Sequence, residues 1–181
     1  MRQTEVIQPE ESTQDDRYTA AAAEFGAGLE RLARAYEADP ERRRDLLQDI
    51  HLQLWRSFAA FDGRCSTRTW VYRVAHNTAA SYVIRERRQR SRLITFEELE
   101  KIPTEQPAEP AADRRRALEK LHLLIQQLAP TDRQVMICYL EDMDAASIGE
   151  ITGLSPGNVA MKIHRLRNVL SRRFHEGGWH E

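Results

Sequence analysis

From Ala20 onward the apolar residues recur every three or four positions, and Phe25, Leu29, Leu32, Ala33 and Tyr36 fall on one stripe. That period predicts an amphipathic helix. Asp39-Pro40 then supplies a capping carboxylate followed by proline at the first helical position, and Leu46, Leu47, Ile50, Leu54, Trp55 and Phe58 continue the stripe to about Ala60. A polar turn with one glycine, Phe61-Asp62-Gly63-Arg64-Cys65, separates this second helix from a third, which Ser66 or Thr67 would cap. The third carries Trp70, Val71, Val74, Ala75, Ala79, Tyr82 and Val83 and runs into the arginine cluster Arg85 to Arg92.

The pattern fails in two places. Residues 1–18 hold almost no large apolar side chain, which predicts a disordered tail, because such a segment cannot offset the entropy of ordering. Residues 93–113 place Pro103, Pro107 and Pro110 among six acidic residues, which predicts an extended linker. Beyond it, Leu118, Leu121, Leu124, Ile125 and Leu128 form another helical face that Pro130 stops. Thr131-Asp132-Arg133-Gln134 has the form of a capping box and predicts the start of a helix carrying Val135, Ile137, Cys138 and Leu140. Asp144 would cap a short helix with Ile148 and Ile151, and Ser155-Pro156 would start the last one. No stretch alternates like a strand. The expected fold class is all-α, with two small helical domains over residues 19–92 and 114–176, a flexible acidic, proline-containing linker over 93–113 and a short tail over 177–181.

Composition alone points away from nucleic acid, since 181 residues carry a net charge of −1. The distribution reverses this. Residues 61–92 hold eight arginines against two acidic residues, 93–113 one lysine against six, and 151–181 five basic residues against two. Two basic blocks therefore flank an acidic one. Cys65 and Cys138 are far apart and form no ligand pair, and His164, His175 and His180 lack the i, i+4 spacing of a metal site, so neither metal nor cofactor is expected. The absence of a long apolar run implies a soluble, cytoplasmic chain with no membrane insertion of its own. Ser66 and Ser81 have no evident base partner, and the segment before the linker shows no strands for a catalytic domain such as that of a serine recombinase, so no enzyme activity is expected.

Residues 144–174 have the spacing of a helix-turn-helix: a capped short helix, Gly153 where the turn needs positive φ, a Ser-Pro restart and a longer helix. In the longer helix Val159, Ile163, Leu166 and Leu170 point inward, leaving Asn158, Met161, Lys162, His164 and Arg165 on the other side. A charged face is commonly just solvated, but the cap, the glycine and the Ser-Pro together favour a recognition helix in a major groove. Trp70, Tyr72 and Tyr82 interleave with Arg64, Arg68, Arg73 and Arg85, a mixture suited to stacking on unpaired bases, although helical aromatics more often serve a core. These features leave open an ordinary helix-turn-helix repressor or activator whose first domain senses a ligand or dimerises.

The segments Asp45 to Trp55, Phe61 to Asn77, Ile148 to Val159 and Lys162 to Arg167 resemble the extracytoplasmic-function sigma factors, over roughly residues 20–92 and 114–175. The resemblance implies a subunit that binds core RNA polymerase and directs it to promoter DNA. It assigns Asp45, Gln48, Asp49, Leu52 and Trp55 to the polymerase clamp helices. Arg64, Ser66, Trp70, Arg73, Asn77, Ser81, Arg85 and Arg88 are assigned to the −10 element, where a base is flipped into a pocket, and Asn158, Met161, Lys162, His164, Arg165 and Arg167 to the −35 element. It further implies an anti-sigma factor as a partner and a linker that mimics nucleic acid near the template-strand path. Ala160 and Met161 depart from the usual polar or basic residues, leaving apolar contact to a thymine methyl as a substitute. Gly149 replaces the common alanine, which either allows closer packing or lowers helix stability.

Overall fold

The computed structural model describes residues 13–90 and 110–176, with side chains over 13–86 and 117–172. Seven helices cover most of these residues: α1 Gln14–Tyr36, α2 Pro40–Ser57, α3 Thr67–Arg90, α4 Pro110–Gln126, α5 Pro130–Leu140, α6 Ala145–Thr152 and α7 Pro156–Glu176, with a 3-10 turn at Phe58–Ala60 after α2. Residues 1–12, 91–109 and 177–181 lie outside the described residues, and with them 93–109 of the expected linker and the last two residues of the expected first domain.

The first helix starts at Gln14, six residues before the apolar stripe begins, so the stretch expected to be a tail to residue 18 is partly helix. Thr13 accepts from the backbone N–H of Asp16 while the Asp16 carboxylate accepts from that of Thr13, a capping box with aspartate in place of glutamate. These hydrogen bonds hold the Asp16 carboxyl below the usual carboxylate range. The added turn is tied down: Gln14 Nε2 donates to the Trp55 carbonyl at 2.8 Å, Trp55 Nε1 to Asp15 Oδ1 at 2.7 Å, and Arg17 to the Phe61 carbonyl at 3.2 Å.

Prolines open helices here. Asp39 caps α2 with Pro40 at its first position, as expected. Pro110 begins α4, inside the segment expected to be linker to residue 113. Pro130 begins α5 behind Ala129, without a side-chain cap, so the capping box expected at Thr131 does not form: Thr131 and Asp132 lie in the first turn. Proline suits the first helical position, and with Pro130 there the helix starts two residues too early for Thr131 to stand outside it as the cap.

Helices α1 to α3 enclose Leu29, Leu32, Leu46, Ile50, Leu54, Phe58, Val71 and Tyr72, all but inaccessible to solvent. Each such side chain contributes about 1.5–3 kcal/mol of apolar burial. Helices α4 to α7 enclose Ile125, Val135, Met136, Ile148, Val159, Leu166 and Leu170. The two groups meet in one continuous buried cluster, with α4 against α1 and with α5 and α6 against α3.

Polar contacts line this junction. Arg31 donates from Nε and Nη2 to the two oxygens of Glu141, both at 2.6 Å, and Tyr72 donates to Glu141 Oε2 at 3.0 Å. Arg68 donates to the Glu141 carbonyl, Arg73 to that of Glu150, and Gln126 to that of Arg34. His76 lies between Tyr36 Oη at 3.1 Å and Cys138 Sγ at 3.2 Å.

Candidate nucleic-acid interface

The α6–α7 unit is a helix-turn-helix in detail. Asp144 caps α6 through the Ser147 N–H at 2.8 Å, and Gly153 ends it in the left-handed conformation at φ 75°. A Cβ on Gly149 would stand 2.6 Å from the Leu154 carbonyl oxygen, so this glycine permits the turn to press against its own helix, the first of the two alternatives. Ser155 Oγ accepts from the Asn158 N–H at 3.3 Å and so caps α7. With Val159, Leu166 and Leu170 buried, Asn158, Met161, His164, Arg165 and Arg167 are exposed, Met161 at 67% accessible. Lys162 differs: it is half-buried, with Nζ 2.6 Å from Asp132 Oδ1, and Arg165 also approaches that carboxylate at 3.8 Å. Arg167 stacks over the Tyr139 ring at 5.9 Å, and His164 meets Asn168 at 3.3 Å.

The loop before α3 turns at Gly63, φ 75°, where Asp62 accepts from the Arg64 backbone and pairs with its guanidinium at 2.6 Å. Ser66 caps α3 through the Thr69 N–H at 3.0 Å, a structural task for a residue expected to face DNA. Trp70 is half-buried, its Nε1 donating to Ser57 Oγ at 2.9 Å and its ring against Phe61 at 5.2 Å. Asn77 and Ser81 are exposed on the same helix. Arg73 faces the junction with α6. Arg85 lies over Tyr82 and 3.3 Å from Asp49, joining a residue expected on the −10 element to one expected on the polymerase. The Arg88 side chain lies outside the described residues. Beside the loop, Arg17, Ala20, Phe58, Phe61, Gly63 and Thr67 line an open cavity of about 580 Å³.

On α2, Asp45, Gln48, Leu52 and Trp55 are exposed and Asp49 is half-buried. Leu52 at 43% and Trp55 at 40% accessible form an apolar step beside the carboxylates. The sequence reading missed that Asp15 holds the Trp55 indole, and that Asp132 engages Lys162. The Thr-x-x-Asp pattern at Thr13 was the available signal for the first; Asp132 has none short of the fold.

Two family models match the chain, Sigma-70 region 2 over residues 23–89 and Sigma-70, region 4 over residues 118–170, together more than half of its length. The chain belongs to the sigma-70 family. The RNA polymerase sigma factor YlaC of Bacillus subtilis is 29% identical over 134 residues, 73% of this chain and 77% of that one. The ECF RNA polymerase sigma factor SigG of Mycobacterium tuberculosis is 27% identical over 150 residues, 70% of this chain and 40% of that one. A sigma factor RpoE from Bartonella quintana, solved in complex with the anti-sigma factor NepR, has the same fold with a TM-score of 0.68 at 15% identity, covering 92% of this chain and all of that one. The sigma-factor reading thus displaces that of a plain helix-turn-helix regulator. Helices α1 to α3 carry region two of this sigma factor and α4 to α7 carry region four.

Proposed function

We propose that this alternative sigma factor divides its work among three surfaces. On α2, Asp45, Gln48, Asp49, Leu52 and Trp55 bind the clamp helices of core RNA polymerase. The loop before α3 and that helix, through Arg64, Ser66, Trp70, Asn77, Ser81, Arg85 and Arg88, with Arg73 available once it leaves the Glu150 carbonyl, bind and open the −10 element, and the cavity beside Phe61 receives an extruded base. Extrusion costs a few kcal/mol, which apolar and polar groups side by side in that cavity are suited to offset. The exposed face of α7 reads the −35 element through Asn158, Met161, His164, Arg165 and Arg167, with Lys162 available once it leaves Asp132. The division follows from the domain boundaries read in the sequence, residues 19–92 and 114–176 as separate units, with the acidic segment 93–113 between them along the template-strand path.

The observation that supports this reading most is α7: a capped helix, buried on one side by Val159, Leu166 and Leu170, that leaves Asn158, Met161, His164, Arg165 and Arg167 in solvent. An anti-sigma factor belongs to the same reading, by analogy with the Bartonella relative, and so does action in the cytoplasm; among the described residues no helix is long and apolar enough to cross a membrane. Run-off transcription with purified core polymerase on a promoter library tests the proposal. Specific start sites preceded by shared −35 and −10 sequences are expected; failure to bind core polymerase overturns it. Co-purification from the native host under uninduced conditions tests the inhibitor, whose repeated absence counts against it.

A further inference from the structure

We infer that Glu141, at the C-terminal end of α5, is an intramolecular latch that holds region four on region two in a closed state unable to engage a whole promoter, with no partner protein required. The inference rests on the sigma-factor reading above and concerns its regulation.

Glu141 is only 8% accessible, and an isolated carboxylate there would be strongly unfavourable without partners. Among the described residues its side-chain hydrogen bonds come from region two. Arg31 of α1 grips it with a two-pronged pair at 2.6 Å, the geometry in which arginine and carboxylate interact most strongly, and Tyr72 of α3 donates at 3.0 Å. Arg68 takes the carbonyl of the same residue. The Glu141 pair holds the Arg31 guanidinium above its usual range, while burial, with Glu141 second, pushes the Tyr72 phenol up as well. Space for the cluster depends on Gly28: a Cβ there would stand 2.1 Å from Tyr72 Oη and 2.9 Å from Glu141 Oε2.

The closed arrangement is incompatible with the job. The −35 and −10 elements are nominally about 25 base pairs apart, which is about 85 Å of duplex at about 3.4 Å per step. A compact chain of this length has a radius of gyration of about 16 Å and a width of about 40 Å. With α5 and α6 seated on α3, α7 and the −10 surface cannot reach both elements together. Arg73 marks the conflict directly: its Nη2 holds the Glu150 carbonyl at 3.2 Å, while its Nε is shielded without a hydrogen-bond partner, a deficit that release to solvent or to a DNA phosphate removes. The latch is therefore strong at Glu141 and mismatched at Arg73, as suits a contact that must open.

Cys138 reports the state. It is fully buried behind His76 of region two, whereas Cys65 is half-exposed in the loop before α3. The experiment follows alkylation of each thiol in the full chain by iodoacetamide, mapped by peptide mass, for the native protein and for the Arg31→Ala, Glu141→Gln and Gly28→Ala variants. Arg31 lies at the surface, 57% accessible, so its truncation leaves both cores intact. Expected are slow modification of Cys138 in the native chain, acceleration of at least about tenfold in the variants, the scale of a lost charged hydrogen bond, and an unchanged Cys65 rate. Raising salt should accelerate Cys138 in the native chain and much less in Arg31→Ala. Cys138 rates within twofold of native in Arg31→Ala and Glu141→Gln, with helicity retained, overturn the latch, as does a salt-independent native rate should a variant fail to fold. Transcription with saturating core polymerase separates the two proposals. Activity with no change at Cys138 removes the latch and leaves the sigma function; absence of activity in the native chain and in Arg31→Ala alike removes the sigma function, while the Cys138 rates still decide whether Glu141 closes the molecule.

Discussion

Lys162 and Asp132 are joined at 2.6 Å, so a lysine expected to meet DNA is held inside its own domain by the first turn of α5. Arg165 leans on the same carboxylate at 3.8 Å. Both pairs are partly shielded on the Asp132 side, 17% accessible, so the anchor is stiffer than a surface pair. If the exposed face of α7 reads the −35 element as proposed, one carboxylate competes with promoter phosphates for two of its cations. Asp132→Asn is expected to tighten binding to a −35 duplex several-fold and to steepen its salt dependence by about one phosphate contact, a slope change of about 0.9. Lys162→Ala should change that affinity little when Asp132 is present and markedly when it is added to Asp132→Asn, so the two single variants are compared with the double. Fluorescence anisotropy across a salt series provides the slope, and an unchanged slope in Asp132→Asn would refute the competition.

Trp55 exposes its indole beside Leu52, while its Nε1 is fixed by Asp15 at 2.7 Å and its carbonyl by Gln14. A large aromatic held rigid at the surface loses little entropy on docking, which makes it a suitable anchor for a protein interface. Trp55→Ala is expected to weaken binding to core polymerase by about thirtyfold, the scale of a hot-spot loss of about 2 kcal/mol. Because the ring is not in the core, the melting temperature should move by no more than a few degrees. Asp15→Ala, which frees the indole without removing it, should give a smaller loss of the same sign. Core affinity by titration and melting by circular dichroism check both; a large melting shift with unchanged affinity would make Trp55 structural.

How far these features could be read in advance depends on the range of the forces involved. The stripes Phe25 to Tyr36, Leu46 to Phe58 and Val159 to Leu170 are local periodicities, and each became a helix buried on the foreseen side, except that Trp55 of the second stripe stands exposed at 40% accessible and Phe58 falls in the 3-10 turn that follows. Asp144, Gly153 and Ser155-Pro156 are local too, and all stand where the turn chemistry placed them. The errors came where one local signal outranked another. Pro110 and Pro130 read as breakers, yet proline also fits the first turn of a helix, and there it fixed the starts of α4 and α5. Ser66 caps α3 and Trp70 leans on Phe61, tasks set by the fold beside any contact with DNA. The junction of Glu141 with Arg31 and Tyr72 joins residues far apart in sequence, and no spacing rule within one helix can announce it.

Trp70 has two roles that substitution can separate. Its ring packs on Phe61 at 5.2 Å and its Nε1 donates to Ser57 Oγ at 2.9 Å, which ties α3 to the end of α2. Trp70→Ala removes the ring and should destabilise region two by about 2 kcal/mol, below the range for a fully buried aromatic because the ring is half-buried. Trp70→Phe keeps an aromatic against Phe61 but loses the hydrogen bond, so a loss of about 1 kcal/mol is expected. If Trp70 also supports the opened −10 strand, Trp70→Phe should form promoter complexes that melt slowly, seen as delayed permanganate reactivity of thymines at a temperature where the variant is fully folded. Normal melting kinetics in that variant would leave Trp70 with its structural role alone.

His76 governs the acid side of the stability profile. The ring is fully buried between Tyr36 Oη and Cys138 Sγ, and burial lowers its pKa from 6.5 to about 3. Above pH 6.5 the imidazole is neutral in both folded and unfolded chains and contributes no pH dependence. Below it the unfolded chain takes up a proton that the folded chain refuses, so stability declines as pH falls from 6.5 towards 3. Each pH unit in that window removes about 1.4 kcal/mol on account of His76. His51, also lowered by burial, adds a smaller decline of the same sign. Urea unfolding at about pH 7.5, 6.0 and 5.0 should therefore show a falling free energy, and His76→Gln, which cannot charge, should flatten the decline by about one proton. An equal slope in the variant and the native chain would mean that His76 takes up its proton in the folded state, and with it that the junction around Cys138 opens at mild acidity.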